Sequence, residues 1–218
     1  MKKIAVFGAG GFGREVKTII DAINLGNGKY QFIGYFDDGI EKGKSVNGFP
    51  VLGGINEIND FEDDLELVLA IGDPKIKKIV QKKISNKKIN FPVLIHPSVL
   101  ISNDDVVIEE GCIICAGTII TCNIKIEKFT ILNLACTVGH DTVIGAYSSF
   151  MPSVNISGEV NVKEGVYVGT GAKIINLLEI GENTIVGAGA VVSKSLPANC
   201  TAVGIPAKPI KYHTNESI

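Results

Sequence analysis

A histidine followed by an aspartate, His140-Asp141, lies in the stretch Val138-Gly139-His140-Asp141-Thr142-Val143. An imidazole titrates near neutral pH, so it can take a proton from an attacking amine or hydroxyl. A neighbouring carboxylate can orient the ring and raise its basicity, as the acidic partner does in hydrolase triads. Towards the other end, Gly8-Ala9-Gly10-Gly11-Phe12-Gly13 follows a short apolar strand, Lys3–Phe7. Glycines at such a turn let the backbone approach a phosphate at a helix N-terminus. With Asp37 closing the second strand, the pattern is also a dinucleotide fingerprint and, standing alone, predicts NAD. Cys112 and Cys115 form a C-x-x-C with no second pair or nearby histidine, so no metal is expected. His96, before Pro97, reads as a junction residue. His213 precedes the polar tail Thr214-Asn215-Glu216-Ser217 and is given no specific role.

The background against which these residues stand is that of a globular chain. Of 218 residues, 45% are apolar and 20% charged, which separates the protein from disordered sequences. Net charge is −2 and the sole arginine is Arg14, so the clustered cations of a nucleic-acid protein are missing. The N-terminal apolar stretch is too short for a signal peptide, and no run approaches a membrane span. Five cysteines, an odd number, suit a reducing cytoplasm. Thirty-two isoleucines and 25 glycines favour β-structure with many corners.

Two segments position the candidate residues, and their patterns differ. Residues 1–95 alternate strand and helix signals. Lys3–Phe7 is followed by Val16, Ile19, Ile20 and Ile23 at helical spacing, until Gly26 and Gly28 stop the pattern. Tyr30–Phe36 and Leu65–Ile71 read as further strands, an amphipathic helix with a solvated lysine face as covering Lys75 to Lys88, and Phe91–Ile95 as a fourth strand. That order implies a small Rossmann-like parallel α/β domain, too short for a full two-lobed dinucleotide fold.

Residues 96–218 form the second domain, and from Ile108 an aliphatic residue recurs every six positions as far as Val192. Of the fifteen residues in this frame, fourteen are Ile, Leu or Val and the other is Phe150. Four positions after each comes a mostly small or β-branched residue, among them Cys112, Thr118, Cys136, Thr142, Ser148 and Ala190. This is the signature of a hexapeptide β-solenoid. Three hexapeptides close a triangular coil of eighteen residues, with the first and fifth positions facing inward, and the fifteen make five coils. Coils rise by the strand spacing of ~4.8 Å, so residues eighteen apart stack. Glycines following the aliphatic position (Gly139, Gly145, Gly169, Gly181, Gly187) are read as sites of sharp bending. His140 is third in its hexapeptide and therefore points outward, and Gly158 lies one coil further along the same face.

With these features in place, the chain resembles the bacterial hexapeptide acyltransferases, and more narrowly the sialic-acid O-acetyltransferase-like family. That family includes N-acetyltransferases of nucleotide-linked 4-amino-4,6-dideoxy sugars. Four stretches carry the likeness: Gly8–Gly13, Phe36-Asp37-Asp38, Ile95-His96-Pro97-Ser98, and Val138-Gly139-His140-Asp141. Ala202-Val203-Gly204-Ile205-Pro206-Ala207-Lys208 is shared more broadly. The resemblance implies a left-handed parallel β-helix, a homotrimer with active sites between subunits, and acetyl-CoA as co-substrate. His140 would be general base, Asp141 its partner where the amino-sugar enzymes typically carry glutamate, and the Gly158 N–H an oxyanion donor. Gly10, Gly11, Phe12, Asp37, Asp38 and Gly72 would hold the nucleotide-linked sugar, and Asn133 would face it. Ser149, Thr170 and Ala188 occupy the positions matching the acetyl-CoA groove.

Four readings follow. The first is N-acetylation of a nucleotide-linked amino sugar, with direct attack on the thioester. The second moves the acetyl group to a hydroxyl of sialic acid or another sugar, the third is a non-catalytic nucleotide-binding solenoid, and the fourth an NAD sensor.

Overall fold

The computed structural model describes residues 1–213; the tail from Thr214 lies outside the described residues. The chain forms two compact units, Met1–Pro97 and a second beginning at Ser98.

In the first unit, β1 (Lys2–Phe7) runs into α1 (Gly11–Asn27), which returns to β2 (Tyr30–Phe36). A small hairpin, β3 (Ser45–Val46) with β4 (Phe49–Pro50), leads to the short α2 (Ile55–Asn59). Then come β5 (Leu65–Leu69), α3 (Pro74–Lys83) and β6 (Ile89–Asn90). The strands form one parallel sheet in the order β2-β1-β5-β6. Ile4, Ala5 and Val6 of β1 and Leu67 of β5 are fully buried, as central parallel strands must be. Against them α1 packs Val16, Ile19 and Ile20, the residues whose spacing marks the helix.

Three expectations need correction here. The fourth strand of this sheet is Ile89–Asn90 rather than Phe91–Ile95; Leu94–Ile95 is a separate strand. Helix α3 stops at Lys83, five residues short of Lys88. Asn59 intercepts the chain there: its Nδ2 donates to Lys83 O at 3.0 Å and its Oδ1 accepts from Ser85 N at 2.8 Å. Lys77 does not belong to a solvated face. It stands three residues from both Pro74 and Val80 on the buried stripe of α3 and is 1% exposed.

The second unit is a left-handed parallel β-helix. Strands of two or three residues cover the sixth and first hexapeptide positions, and in the regular coils each pairs with the strand eighteen residues away. Thr137–Val138, for example, lies between Ile119–Ile120 and Asn155–Ile156. Every first-position residue from Ile114 to Val192 is buried. The fifth-position hydroxyls and thiols are buried too, and many donate to a carbonyl on the next coil. Thr118 reaches Asn133 O at 3.2 Å, Thr142 reaches Ser157 O at 3.3 Å, and Cys112 reaches Glu127 O at 3.2 Å. Among the described residues no buried side-chain nitrogen or oxygen lacks a partner, so the polar atoms inside the prism carry little desolvation cost.

The regular pattern starts earlier and ends less regularly than the six-residue frame implies. Leu100–Ile101 already pairs with Ile119–Ile120 at a spacing of nineteen, and Ile185–Val186 pairs with Thr201–Ala202 at sixteen. The corner glycines also have another cause. None of Gly139, Gly145, Gly169, Gly181 and Gly187 has a left-handed φ. A Cβ on Gly139 would instead lie 2.6 Å from Gly158 N, and one on Gly169 2.5 Å from Ala188 N. At Gly139, Gly145, Gly169 and Gly181 glycine is required because the backbone of the following coil passes directly over it, and at Gly187 because Val203 Cγ1 would lie 2.7 Å away. The left-handed φ falls two positions later, at Asn123, Phe129, Ala135, Asp141, Tyr147, Ser153 and Glu159.

Candidate active site

The edge of the prism that follows Thr137–Val138 carries residues 139–142, and one coil on it carries 157–160. His140 is exposed at this edge, with 56% of its side chain accessible. Its Nδ1 lies 2.7 Å from Asp141 Oδ2. A ring that donates from Nδ1 to a carboxylate presents Nε2 as the proton acceptor. The other carboxylate oxygen of Asp141 accepts from Asn123 Nδ2 at 2.9 Å. These two donors, His140 first and Asn123 second, hold the Asp141 carboxyl below the usual aspartate range.

Gly158 is buried directly beneath the imidazole. A Cβ there would lie 2.5 Å from His140 Nε2 and 2.6 Å from Cε1. The ring therefore rests in space that only glycine leaves open, a consequence of the eighteen-residue stacking.

A second edge, following Ile131–Leu132, carries the remaining solenoid candidates. Thr170 and Ala188 stack there, one coil apart and both exposed. Asn133 lies on the same edge but is 6% exposed, and its Oδ1 accepts from Leu134 N at 2.7 Å. Ser149, expected at the same groove, is fully buried in the strand Ser149–Phe150 and offers no surface to a ligand in this chain. One face of the prism separates this edge from His140, so a single chain does not bring the two groups together.

In the first unit the structure groups the candidate loop residues at the C-terminal ends of β1, β2 and β5. Gly10 is the N-cap of α1, no described side chain caps the helix, and its first turn carries no acidic residue. A Cβ on Gly10 would meet nothing and one on Gly11 only the tip of Arg14, so the loop surface is open. Gly13 serves packing, since a Cβ there would overlap the Gly8 carbonyl. Asp37 ties β2 to this loop: Oδ2 accepts from Ala9 N at 2.8 Å and Oδ1 from Gly39 N at 2.9 Å. Asp38 Oδ1 accepts from Ile55 N at 2.9 Å, at the start of α2. A cleft of about 430 Å³ opens beside them, lined in part by Asp37, Asp38, Lys42, Gly54, Asn56 and Lys83. Gly72 follows β5, one residue before Asp73, whose Oδ1 accepts from Lys75 N and Ile76 N and so starts α3.

Asn123 is the site residue that sequence reading did not single out. The signal was present in the eighteen-residue ruler, because Asn123 lies one coil before Asp141. Among the described residues no group of three metal-ligating side chains is found, and the thiols of Cys112 and Cys115 are buried. No described helix is long and apolar enough to cross a membrane.

Comparison with known proteins places these features in context. Residues 3–84 match the PglD N-terminal domain. The GDP-perosamine N-acetyltransferase of Escherichia coli O157:H7 is 32% identical over 221 residues, covering 97% of both chains. Among solved structures, a histidine-to-asparagine mutant of perosamine N-acetyltransferase from Caulobacter crescentus, in complex with CoA and GDP-perosamine, superposes with a TM-score of 0.88. It is 28% identical and covers 97% of this chain and 98% of that one. The acetyltransferase domain of PglB from Neisseria gonorrhoeae FA1090, in complex with acetyl coenzyme A, gives a TM-score of 0.86 at 30% identity, covering 96% and 99%.

Proposed function

Because the chain belongs to the hexapeptide-type acyltransferases of nucleotide-linked amino sugars, we propose that it acetylates the amino group of such a sugar, a 4-amino-4,6-dideoxy sugar, from acetyl-CoA. The observation that carries the reading is the outward imidazole of His140, held at Nδ1 by Asp141 so that Nε2 is left as the proton acceptor.

The chemistry then needs no acyl-enzyme. The sugar amine attacks the thioester carbonyl carbon, and Nε2 accepts the proton that the amine loses as the C–N bond forms. The N–H of Gly158, beside the same edge of the ring, is the proposed donor to the oxyanion. Collapse of the tetrahedral intermediate breaks the C–S bond, and the departing CoA thiolate takes the proton held on Nε2, which restores the neutral imidazole. Asp141 stabilises the imidazolium formed in between. The nucleotide is assigned to the first unit. Gly10, Gly11 and Phe12 would receive its phosphates at the uncapped start of α1, with Gly72 nearby. Asp37 and Asp38 would shape the adjoining cleft.

The separation of the two solenoid edges supports a site built by two copies. One copy supplies His140, and its neighbour supplies the edge of Thr170 and Ala188 along which acetyl-CoA lies, with Asn133 on that edge assigned to the sugar. A threefold assembly repeats that contact three times and closes.

A coupled assay of CoA thiol release, with acetyl-CoA and nucleotide-linked 4-amino sugars, tests the proposal. His140→Ala is expected to lower kcat by about 10²–10⁴, the value of a lost general base. Near-wild-type turnover in that variant refutes the assignment of the base. Absence of release with every amino-sugar nucleotide refutes the substrate class.

A further inference from the structure

The contact between Asn123 and Asp141 has no direct part in the proton transfer assigned to His140, yet it completes a chain of groups that ends at the ring. We propose that Asn123 is a positioning residue for this reaction: its side-chain amide fixes the Asp141 carboxylate, and the carboxylate in turn fixes the imidazole. The proposal rests on the reading of His140 as the base.

Three observations support it. First, the two oxygens of Asp141 are divided between two donors, Asn123 Nδ2 at 2.9 Å and His140 Nδ1 at 2.7 Å. Second, the backbone enforces the same pairing, since Asp141 N donates to Cys122 O at 3.1 Å and Asn123 N to Asp104 O at 2.9 Å. The partners are therefore held in register before either side chain orders. Third, the Asp141 side chain is 49% exposed. A surface carboxylate beside a histidine gains little from the pair alone and exchanges it readily for water. A second donor on the other oxygen removes that freedom. It must also be neutral, because a lysine in its place would compete with the imidazolium for the carboxylate during the reaction. An amide satisfies both requirements.

The test uses Asn123→Gly and Asp141→Gly, singly and together, in the thiol-release assay with acetyl-CoA and a nucleotide-linked amino sugar. Glycine is the suitable replacement because residues 123 and 141 both have φ 56, which glycine adopts without strain. Asn123→Gly is expected to lower kcat about 5- to 10-fold, the effect of one solvent-exposed hydrogen bond of ordinary strength. The KM for acetyl-CoA and the melting temperature should stay unchanged. In the Asp141→Gly background the same substitution should have no further effect, because the group it acts through is gone. Asn123→Asp, which preserves the local shape but replaces the donor with a second carboxylate, should lower kcat at least as far. An equal loss in both backgrounds overturns the proposal, as does wild-type kcat in Asn123→Gly or Asn123→Asp. Absence of turnover in the unaltered enzyme would instead refute the acetyl-transfer reading itself.

Discussion

Adding a single methyl group at Gly158 tests whether the imidazole must lie where the structure places it. In Gly158→Ala the new carbon would stand 2.5 Å from His140 Nε2, 2.6 Å from Cε1 and 2.9 Å from Cδ2. Carbon atoms in ordinary contact are about 3.5–4.0 Å apart, so the ring must retreat by about 1 Å. The backbone at 158 does not have a left-handed φ, so alanine itself is unstrained there. The ring, at the end of a half-exposed side chain, can yield by rotating, at an off-rotamer cost of about 0.5–1.5 kcal/mol. Stability should therefore change little. Catalysis should change much more, since misplacing a reacting group by 1 Å costs about 10²-fold. The expected result is a kcat lowered by about two orders of magnitude, with a melting temperature close to that of the unaltered protein. Because alanine keeps its N–H, an oxyanion contact from residue 158 survives the substitution, and the loss reports on the ring. A crystal structure of the variant should show the imidazole displaced from Asp141. Near-wild-type kcat in a variant whose ring has moved would refute the view that its position matters. An unmoved ring would refute the steric argument.

Two further outcomes follow from the same structure. Gly139→Ala places its methyl 2.6 Å from Gly158 N and Ser157 C, backbone atoms that cannot rotate away. Thermal unfolding should show destabilisation of about 1–3 kcal/mol, the cost of overpacking, in contrast to Gly158→Ala. Burial pushes the Cys136 thiol up from 9.0 to about 11. Iodoacetamide at pH 8 followed by peptide mass mapping should leave Cys136 unmodified in the folded protein. Since the folded pKa is the higher one, the folded state holds this proton more tightly. The stability it contributes is complete below pH 9 and is lost as pH rises from 9 towards 11.

Much of the solenoid could be read from the sequence because a triangular coil makes strict demands on size. Ile114, Ile120 and Val138 had to be aliphatic to fill the prism, and the repeat of that demand every six residues is hard to mistake. The outward direction of His140 followed from phase alone. The irregular ends were less legible: the nineteen-residue first spacing and sixteen-residue last spacing break the frame that reveals the rest. In the first unit, the end of α3 depends on Asn59, twenty-four residues away in sequence from Lys83, and local periodicity carries no trace of that contact. The burial of Ser149 likewise depends on tertiary surroundings that position in a hexapeptide does not report. Partition of the candidates between two edges was implicit in the numbering, since residues 133 and 140 fall in successive hexapeptides.

The reason Asn123 escaped notice is the reason it suits its place. Residues 105, 123, 141, 159 and 177 form one column along the edge, and all five have φ between 51 and 62. Asn and Asp tolerate that conformation better than other side chains, so Asp105, Asn123 and Asp141 are adequately explained as corner residues. Yet a column of short polar side chains spaced by one coil is also an array in which each can bond its neighbour. Where an exposed imidazole precedes one member, the array becomes a means of aiming it. Turn chemistry selects the residue types, coil stacking brings Asn123 and Asp141 within hydrogen-bonding distance, and the added histidine turns that contact to use. A homologous solenoid that has the histidine but lacks an amide one coil earlier should therefore need another donor to the same carboxylate oxygen. Such a chain, given asparagine at the position matching 123, should gain kcat without a change in KM for acetyl-CoA. Failure to gain would show that the column serves the corners alone.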